Sequence, residues 1–280
     1  PIQINMNVRG IEHEQSKALA YEIRSLGIDL FNKHAMLEQA QRVTNLLQEV
    51  FSELPEVVDR LGEDAKAIDN IFGERKQAKL QIAQWEKDIT YEVEIGLVFK
   101  DTLRISPNGI EWKGRRYPLE SITRVRWGAV SNSINGVPTG TDYTIAIGDN
   151  SSEAVVQTRR EEVYTTFLDK LWRAVCVRLL TEILVALKAG NKISFADAVI
   201  DDNGVQLIKH KFLGSDKIYC AWGQMHYWSA NGSLIIGAKD DKKAYASISY
   251  LNTQNAHILE AIIRMSFKKW NGRLSGLLED

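Results

Sequence analysis

Apolar residues recur every three or four positions in the first quarter of the chain, from Glu14 to about Ile71. This is the spacing of a helix with one buried face. A polar stretch from Asn32 to Met36 and the proline at Pro55 interrupt it, so the pattern predicts three helices. The apolar positions are Leu19, Ile23, Leu26 and Leu30, then Leu37, Ala40, Val43, Leu47, Val50 and Phe51, then Val57, Val58, Leu61, Ala65, Ile68 and Phe72.

A charged segment from Gly73 to about Glu92 comes next, with few apolar residues and no proline. Its Leu80, Ile82 and Trp85 indicate a connecting helix that packs on a neighbour, rather than a flexible tether. We therefore expect the domain boundaries to fall in this segment.

From about residue 94 the apolar period changes from 3.6 to 2, which is the period of a strand. Asn108-Gly109 and Lys113-Gly114 are turn signals, because both central positions of a tight hairpin turn favour positive φ. The pattern up to Trp127 therefore predicts a three-stranded meander.

A loop from Ser131 to Asp142 is expected to follow, leading into strands at 143–148 and 154–158. A single apolar stripe then runs from Glu161 to Ala189 and predicts one long helix. Such a helix is about 40 Å long, and a small sheet covers only about half of that. Its second half must therefore bury against another part of the chain.

The same order of elements returns in the last third of the sequence. Trp127-Gly128 follows Asn108-Gly109 nineteen residues on, and Trp222-Gly223 follows Asn203-Gly204 at the same distance. Each copy closes in a helical pattern, the second beginning at about Asn255. Each also has one further Asn-Gly pair, Asn135-Gly136 and Asn231-Gly232. Such spacing indicates one fold used in tandem.

About seven short antiparallel strands closed by one amphipathic helix resemble the pleckstrin-homology-like fold, and the repeated glycine and tryptophan run looks like bacterial members of that superfamily. The resemblance covers residues 95–278 in two units. It implies an α+β protein in which an N-terminal α-helical segment precedes two antiparallel β-sheet domains, each ended by an amphipathic helix. The predicted divisions are a helical docking segment, a helical linker and two such domains, at residues 1–75, 76–93, 94–190 and 191–280.

Small residues occupy matched places in the first two helices. Leu26-Gly27 is followed by Ala40 thirteen residues after the glycine and by Pro55 past the second helix, a spacing that resembles a tetratricopeptide helix pair. Ordinary packing in a small helical docking domain gives the same pattern, and we favour that interpretation. Because a glycine inside a helix costs about 1 kcal/mol against alanine, Gly27 predicts the close approach of a neighbouring helix.

Charge and cysteine content narrow the partner classes. The 280 residues include 35 basic and 36 acidic side chains, for a formal net charge of −1. This balance gives no global field, so we expect no nucleic-acid partner, and membrane lipid only through a local patch. Two cysteines, Cys176 and Cys220, are too few for a disulfide framework and suggest a reducing compartment. With no signal-peptide pattern and no spanning apolar stretch, we expect a cytoplasmic location.

Basic residues cluster in the corresponding turn of each copy. In lipid-binding pleckstrin-homology domains, a basic strand-turn-strand grips inositol phosphates, so the resemblance implies an anion site here. Surface charge runs usually face water, and we favour solvated turns as the explanation. The candidate ligand-binding residues are Lys113, Arg115 and Arg116 in the first copy and Lys209 and Lys211, on either side of His210, in the second.

Aromatic residues form the other candidate surface. Tyr219, Trp222, Tyr227 and Trp228 crowd one part of the second copy, and strand alternation cannot bury all four on one face. Exposed tyrosine and tryptophan are typical of protein-binding hot spots, which makes Tyr219, Tyr227 and Trp228 candidate contacts. Core packing is the alternative, and we favour it, because small sheets commonly cap their core with a tryptophan.

The sequence holds no nucleotide-binding, protease or zinc motif, and its histidines lack ligand spacing, so we expect no metal and no cofactor. The acidic pairs Asp201-Asp202 and Asp240-Asp241 adjoin expected turns, where aspartate bonds nearby backbone. The leading hypothesis is a non-enzymatic protein-interaction module, an adaptor or scaffold that holds a protein partner in a groove or at a sheet edge. One alternative is peripheral membrane or phosphoinositide binding through the basic turns. Another is an enzyme with a site at the domain seam, built from the aspartate pairs and His226.

Overall fold

The computed structural model describes residues 14–96, 100–210, 214–269 and 272–279. The chain is α+β, with a helical segment followed by antiparallel sheets. It divides between Trp85 and Glu86 into two compact units, one helical and one built mainly of sheet.

The helical unit contains the three predicted helices. Their bounds are α1 Glu14–His34, α2 Leu37–Val50 and α3 Pro55–Ile89, the last continuing past the division between the units. A small core of Ala20, Leu47, Phe51, Val57 and Leu61 joins them. Gly27 contacts α2 as predicted, since a Cβ at this position would lie 3.2 Å from Val43 Cγ1. A bidentate ion pair from Arg24 to Asp64, at 2.6 and 2.8 Å, connects α1 to α3.

The connecting segment is helical as predicted, but only as far as Ile89, because a strand begins at Tyr91 where the helix was expected to continue to about Glu92. Among the described residues of the helical unit, it has no neighbour to pack on up to Trp85. Every residue from Gly73 to Trp85 is exposed. Leu80 and Ile82 are each 56% exposed and Trp85 is 40% exposed. The helix therefore presents apolar side chains to solvent along this stretch.

The described residues of the first half of the sheet unit form seven strands in two antiparallel sheets. The first sheet is a meander of four strands, β1 Tyr91–Ile95, β2 Asp101–Ser106, β3 Gly109–Trp112 and β4 Arg115–Tyr117. The sequence pattern instead predicts a meander of three strands up to Trp127. The second sheet is a meander of β5 Arg124–Ile134, β6 Val137–Gly148 and β7 Glu153–Thr158.

The expected loop from Ser131 to Asp142 is wrong. These residues form the outer part of the β5–β6 hairpin, whose two-residue turn is Asn135-Gly136, with φ of 51° and 80°. This outer part of the hairpin, the β5–β6 arm, is largely exposed on both faces, so neither face carries a row of apolar residues. It is held mainly by backbone pairing, together with a hydrogen bond from Asn132 Nδ2 to Asp142 Oδ2 at 2.7 Å, and such pairing leaves no period-2 signal in the sequence.

The long helix predicted from Glu161 is confirmed. It consists of α4 Glu161–Leu171, a π-helical turn at Trp172–Cys176 and α5 Val177–Lys188. Its buried residues recur every four positions from Val163 to Leu179, a period longer than 3.6, and the wider π turn keeps them on one face. The second half buries against the second copy, as the predicted length requires, because α5 packs on the last helix and on the 3-10 turn Leu274–Leu278.

The second half of the sheet unit repeats the order of elements. It runs β8 Ile193–Phe195, β9 Ala198–Ile200, β10 Gly204–His210, β11 Ser215–Ala221, β12 Met225–Ala230, β13 Ser233–Ala238, β14 Ala244–Ser249 and α6 Ala256–Lys269. Four strands form one meander and three form another, as in the first half. Here β10 also pairs with β14, so all seven join in one sheet.

The repeated dipeptides are only partly equivalent. Gly109 and Gly204 each begin the third strand of a half, and the later Asn-Gly pairs each turn the fifth strand into the sixth. Trp127 lies inside β5, whereas Trp222 begins a 3-10 turn before β12. The two spacings of nineteen match because the shorter third and fourth strands of the first half are offset by the connection 118–123 and by the three residues of β5 that precede Trp127.

One asparagine joins the two halves. The outer backbone edge of β5 is bonded by Asn255, at the start of α6: its N–H donates to Val125 O at 2.7 Å, and its Oδ1 accepts from Val125 N at 2.9 Å. Its Nδ2 donates to Thr123 O at 3.0 Å. Asn255 adopts φ of 59°, a left-handed conformation that asparagine tolerates better than most residues. It therefore acts as one residue of a partner strand.

An aromatic stack continues this contact. The ring of His257 lies between Trp127, at a centroid distance of 4.3 Å, and Tyr250, at 4.1 Å, nearly parallel to both. Its Nε2 donates to Trp127 O at 2.9 Å, which fixes the proton on that nitrogen. Burial lowers the pKa of His257, against smaller opposing effects of that hydrogen bond and of Glu260.

Replacing Asn255 should destabilise the sheet unit. Asn255→Ala leaves Val125 N–H and Thr123 O without their side-chain partners and forces alanine to positive φ, so we expect the free energy of unfolding to fall by about 2–3 kcal/mol. Urea unfolding measures this. Asn252→Ala, at an exposed position nearby, should change it by less than about 0.5 kcal/mol. Equal effects at the two positions would contradict the assignment.

Stability should fall on mild acidification because of His257. Its folded pKa lies below the usual 6.5. Below about pH 6.5 the unfolded chain therefore takes up a proton before the folded chain does, and the stability present above 6.5 is lost as the pH falls toward the folded pKa. His257→Gln, which can still donate to Trp127 O, should lose less stability than wild type between about pH 7 and pH 5 in urea titrations. An unchanged pH dependence would show that the ring does not titrate this way.

Candidate functional site

An exposed aromatic surface lies on the outer face of the seven-stranded sheet. Strand alternation turns one face of β13 and β14 toward α6 and leaves the other outside. Cross-strand pairing places Trp228 beside Ile235 on that outer side, and His226 and Tyr245 on either side of Gly237. We call His226, Trp228, Ile235 and Tyr245 the aromatic face. Trp228 is 40% exposed and Tyr245 39%.

Gly237 supports the rings of this face. His226 and Trp228 stack at a centroid distance of 4.9 Å and an interplanar angle of 16°. A Cβ at Gly237 would lie 3.3 Å from both rings, tighter than ordinary contact. The absence of a side chain at Gly237 therefore lets the stacked rings of His226 and Trp228 lie against the sheet.

The structure separates the predicted aromatic residues. Tyr227 points to the α6 side, where it meets Phe267 edge-on at 5.2 Å and lies 5.4 Å from the Arg264 guanidinium. Trp222 is buried and its Nε1 donates to Asp202 O at 3.1 Å. Tyr219 is 53% exposed, but three strands separate its strand β11 from β12, a spacing of about 19 Å. Only Trp228 of the predicted set belongs to the aromatic face.

Tyr219 has a structural partner of its own. Its hydroxyl donates to Asp201 Oδ1 at 2.9 Å. Partial burial, together with this carboxylate, raises the pKa of Tyr219 to about 12. The Tyr219 side chain therefore links β11 to the turn before β10 by a hydrogen bond.

The first basic turn lines a surface groove of about 640 Å³ between the β1–β2 and β3–β4 turns. Most of its cations are already engaged: Lys113 lies 3.7 Å from Asp101, Arg116 lies 2.6 Å from Glu111, and Lys100 lies 2.8 Å from Glu94. Arg115 lies 5.2 Å from the Tyr117 ring. Asp101 and Glu111 line the same groove, and together with Glu94 they offset three of its four cations.

The second basic turn was predicted at Lys209 to Lys211, but Lys209 and His210 belong to strand β10. Lys209 pairs with Asp241 at 2.6 Å, a contact that raises the pKa of Lys209 and lowers that of Asp241. Asp241 also accepts from Lys243 N–H, as expected of a turn aspartate. Lys211 lies outside the described residues.

The remaining acidic pair is also explained by backbone bonding. Asp201 accepts from the N–H groups of Asn203 and Gly204 at 3.0 and 2.9 Å. Asp202 accepts from Ser275 N and Oγ, both at 2.7 Å, and so holds the C-terminal 3-10 turn. No described contact joins these carboxylates to His226, and no group of His, Cys, Asp and Glu in the described residues is arranged to hold a metal ion.

Sequence reasoning missed most of the aromatic face. Tyr245 could have been found, since Ala244, Ala246 and Ile248 alternate with it as the buried positions of β14. His226 and Ile235 follow from the same alternation in β12 and β13. Their common location depends on which strands pair, and single-strand periodicity does not give that.

Comparisons with protein-family models, curated proteins and solved structures find no match to this chain. Within the described residues, no helix is both long enough and apolar enough to cross a lipid bilayer. The pleckstrin-homology-like and tetratricopeptide-like resemblances therefore stay predictions, and the functional argument comes from the geometry of the surface.

Proposed function

We propose that this chain is a non-enzymatic protein-interaction module that binds a protein partner at the aromatic face. The observation that carries the proposal is that Trp228 and Tyr245 are both about 40% exposed on one sheet face. Large amphipathic rings that are already ordered lose little conformational freedom on binding, which is why tryptophan and tyrosine dominate interface hot spots.

The edge of the same sheet supports this proposal. In the described chain β12 pairs only with β13, so its other side carries unpaired backbone groups. An extended partner segment added there would run directly beside Trp228. The corresponding strand β5 lacks this capacity at Val125, because Asn255 occupies its edge.

The alternatives have weaker support. Anion binding needs cations that are available, and Lys113, Arg116 and Lys209 are each paired with a carboxylate. An enzyme site at the seam needs its carboxylates and His226 together, and the described contacts assign them to separate turns and to the aromatic face. The two cysteines are buried free thiols, consistent with a cytoplasmic location as part of the proposal.

Removing the two exposed rings should abolish partner binding. With the purified chain as bait in a cell extract, proteins captured by wild type should be lost with Trp228→Ala plus Tyr245→Ala. A captured protein, once purified, should bind the double variant at least about 30-fold more weakly by calorimetry, equal to about 2 kcal/mol.

The matched control is Trp85→Ala, because Trp85 is also 40% exposed but lies on α3. It should bind as wild type does. Unchanged capture by the double variant would contradict the proposal. Sedimentation with anionic vesicles that is lost in Arg115→Ala plus Arg116→Ala would favour the lipid alternative instead.

A further inference from the structure

The helical unit contains a groove that is separate from the aromatic face. It lies between the α1–α2 turn and the exposed stretch of α3 and has a volume of about 590 Å³. Its lining consists of Ala35, Met36, Leu37, Glu38, Gln39, Phe72, Arg75, Lys76, Lys79 and Leu80. All of these residues belong to the helical unit, so the groove is a feature of that unit alone.

The floor of the groove is apolar. Met36 and Leu80 are 38% and 56% exposed, and Phe72 is half-buried between them. The backbone fixes Met36 in place: Ala35 ends α1 at φ of 53°, and Met36 N–H donates to Leu30 O at 2.9 Å. Methionine is flexible and polarisable, and surfaces that accept apolar side chains often use it.

The rim of the groove is basic. Arg75, Lys76 and Lys79 follow one another on α3 at positions i, i+1 and i+4, and Glu38 is the one acidic residue in the lining. No side-chain hydrogen bond or ion pair within the described part of the chain engages these three cations. This distinguishes them from Lys113, Arg116 and Lys209, and leaves the groove with local positive charge in a chain of net charge −1.

Within the described residues of the helical unit, no element covers the α3 stretch that lines the groove. Its residues from Arg75 to Leu80 are all exposed, although Leu80 is apolar. A helix with no packed face gains little from tertiary contact, which is the main source of helix stability in proteins. A partner on this side would supply the missing contact.

We propose that this groove binds an acidic amphipathic helix of a partner protein. Apolar side chains at i, i+3, i+4 and i+7 of such a helix would enter the floor formed by Met36, Phe72 and Leu80. Its carboxylates would face Arg75, Lys76 and Lys79. The concave shape favours a helix over a membrane, because a bilayer meets protruding apolar residues more readily than a recess.

The test uses the whole chain and two fluorescein-labelled synthetic peptides of about 15 residues. Both carry leucine at i, i+3, i+4 and i+7, with glutamate at the other positions in one and lysine in the second. By fluorescence anisotropy, the glutamate peptide should bind saturably with a Kd below about 1 mM, more weakly as salt is added, and the lysine peptide should not.

Substitutions locate the site. Arg75→Gln plus Lys76→Gln plus Lys79→Gln should weaken glutamate-peptide binding at least about tenfold, and Leu80→Gln should do so by a similar factor. Ile82→Gln is the matched control, because Ile82 is equally exposed but does not line the groove, and it should stay within about twofold of wild type. Trp228→Ala should also keep peptide binding, so failure at the aromatic face and failure here are distinguishable.

Several outcomes would overturn the proposal: no saturable binding, equal binding of the lysine peptide, wild-type affinity in the triple variant, or equal loss in Leu80→Gln and Ile82→Gln. Sedimentation of the chain with phosphatidylserine vesicles that requires the same three cations, without peptide binding, would assign the rim to a membrane instead.

Discussion

A β-strand has hydrogen-bonding groups along both of its edges, and a buried edge without partners costs free energy at each unpaired group. In the first half of the sheet unit, β5 pairs with β6 on one side and, among the strands that the structure describes, with none on the other. Asn255 satisfies that side with its backbone and its side-chain amide, and His257 and Arg126 extend the contact through Trp127 O and Leu251 O. Two further features join the same two halves. The core is continuous through both halves, and α5 reaches across to pack on α6.

This contact gives the two halves different roles. The edge of β5 near Val125 is occupied from within the chain, and Gly128 allows the approach, since a Cβ there would lie 2.8 Å from the Leu251 side chain. The equivalent strand β12 keeps an open edge in the described chain, beside Trp228. The two halves therefore differ: the edge of the fifth strand is bonded by the other half in the first, and within the described residues it is unpaired in the second. The basic turns offer few cations to a ligand, because carboxylates of the chain itself pair with most of them.

Much of the fold could be predicted from the sequence, because buried faces leave periodic signals. The breaks at 32–36 and at Pro55, the tight turns at Asn135-Gly136 and Asn231-Gly232, and the long helix from Glu161 all follow from local pattern. The outer β5–β6 arm could not, since exposed strands need no apolar alternation. The equivalence of Trp127 with Trp222 was also wrong, because the shorter third and fourth strands of the first half are offset in the count by the longer connection that precedes β5. The site was harder still: Trp228 was found from its type, but its neighbours Ile235 and Tyr245 depend on strand pairing between distant segments.

Hydrogen–deuterium exchange of the whole chain, read by mass spectrometry at peptides covering β5 and β12, shows whether Asn255 bonds the edge of β5 while the edge of β12 stays unpaired. We expect slow exchange through 123–127, comparable with the core, and fast exchange of about half the amides of β12, those that point away from β13. Equal protection of the two strands, or fast exchange at Val125, would contradict this expectation.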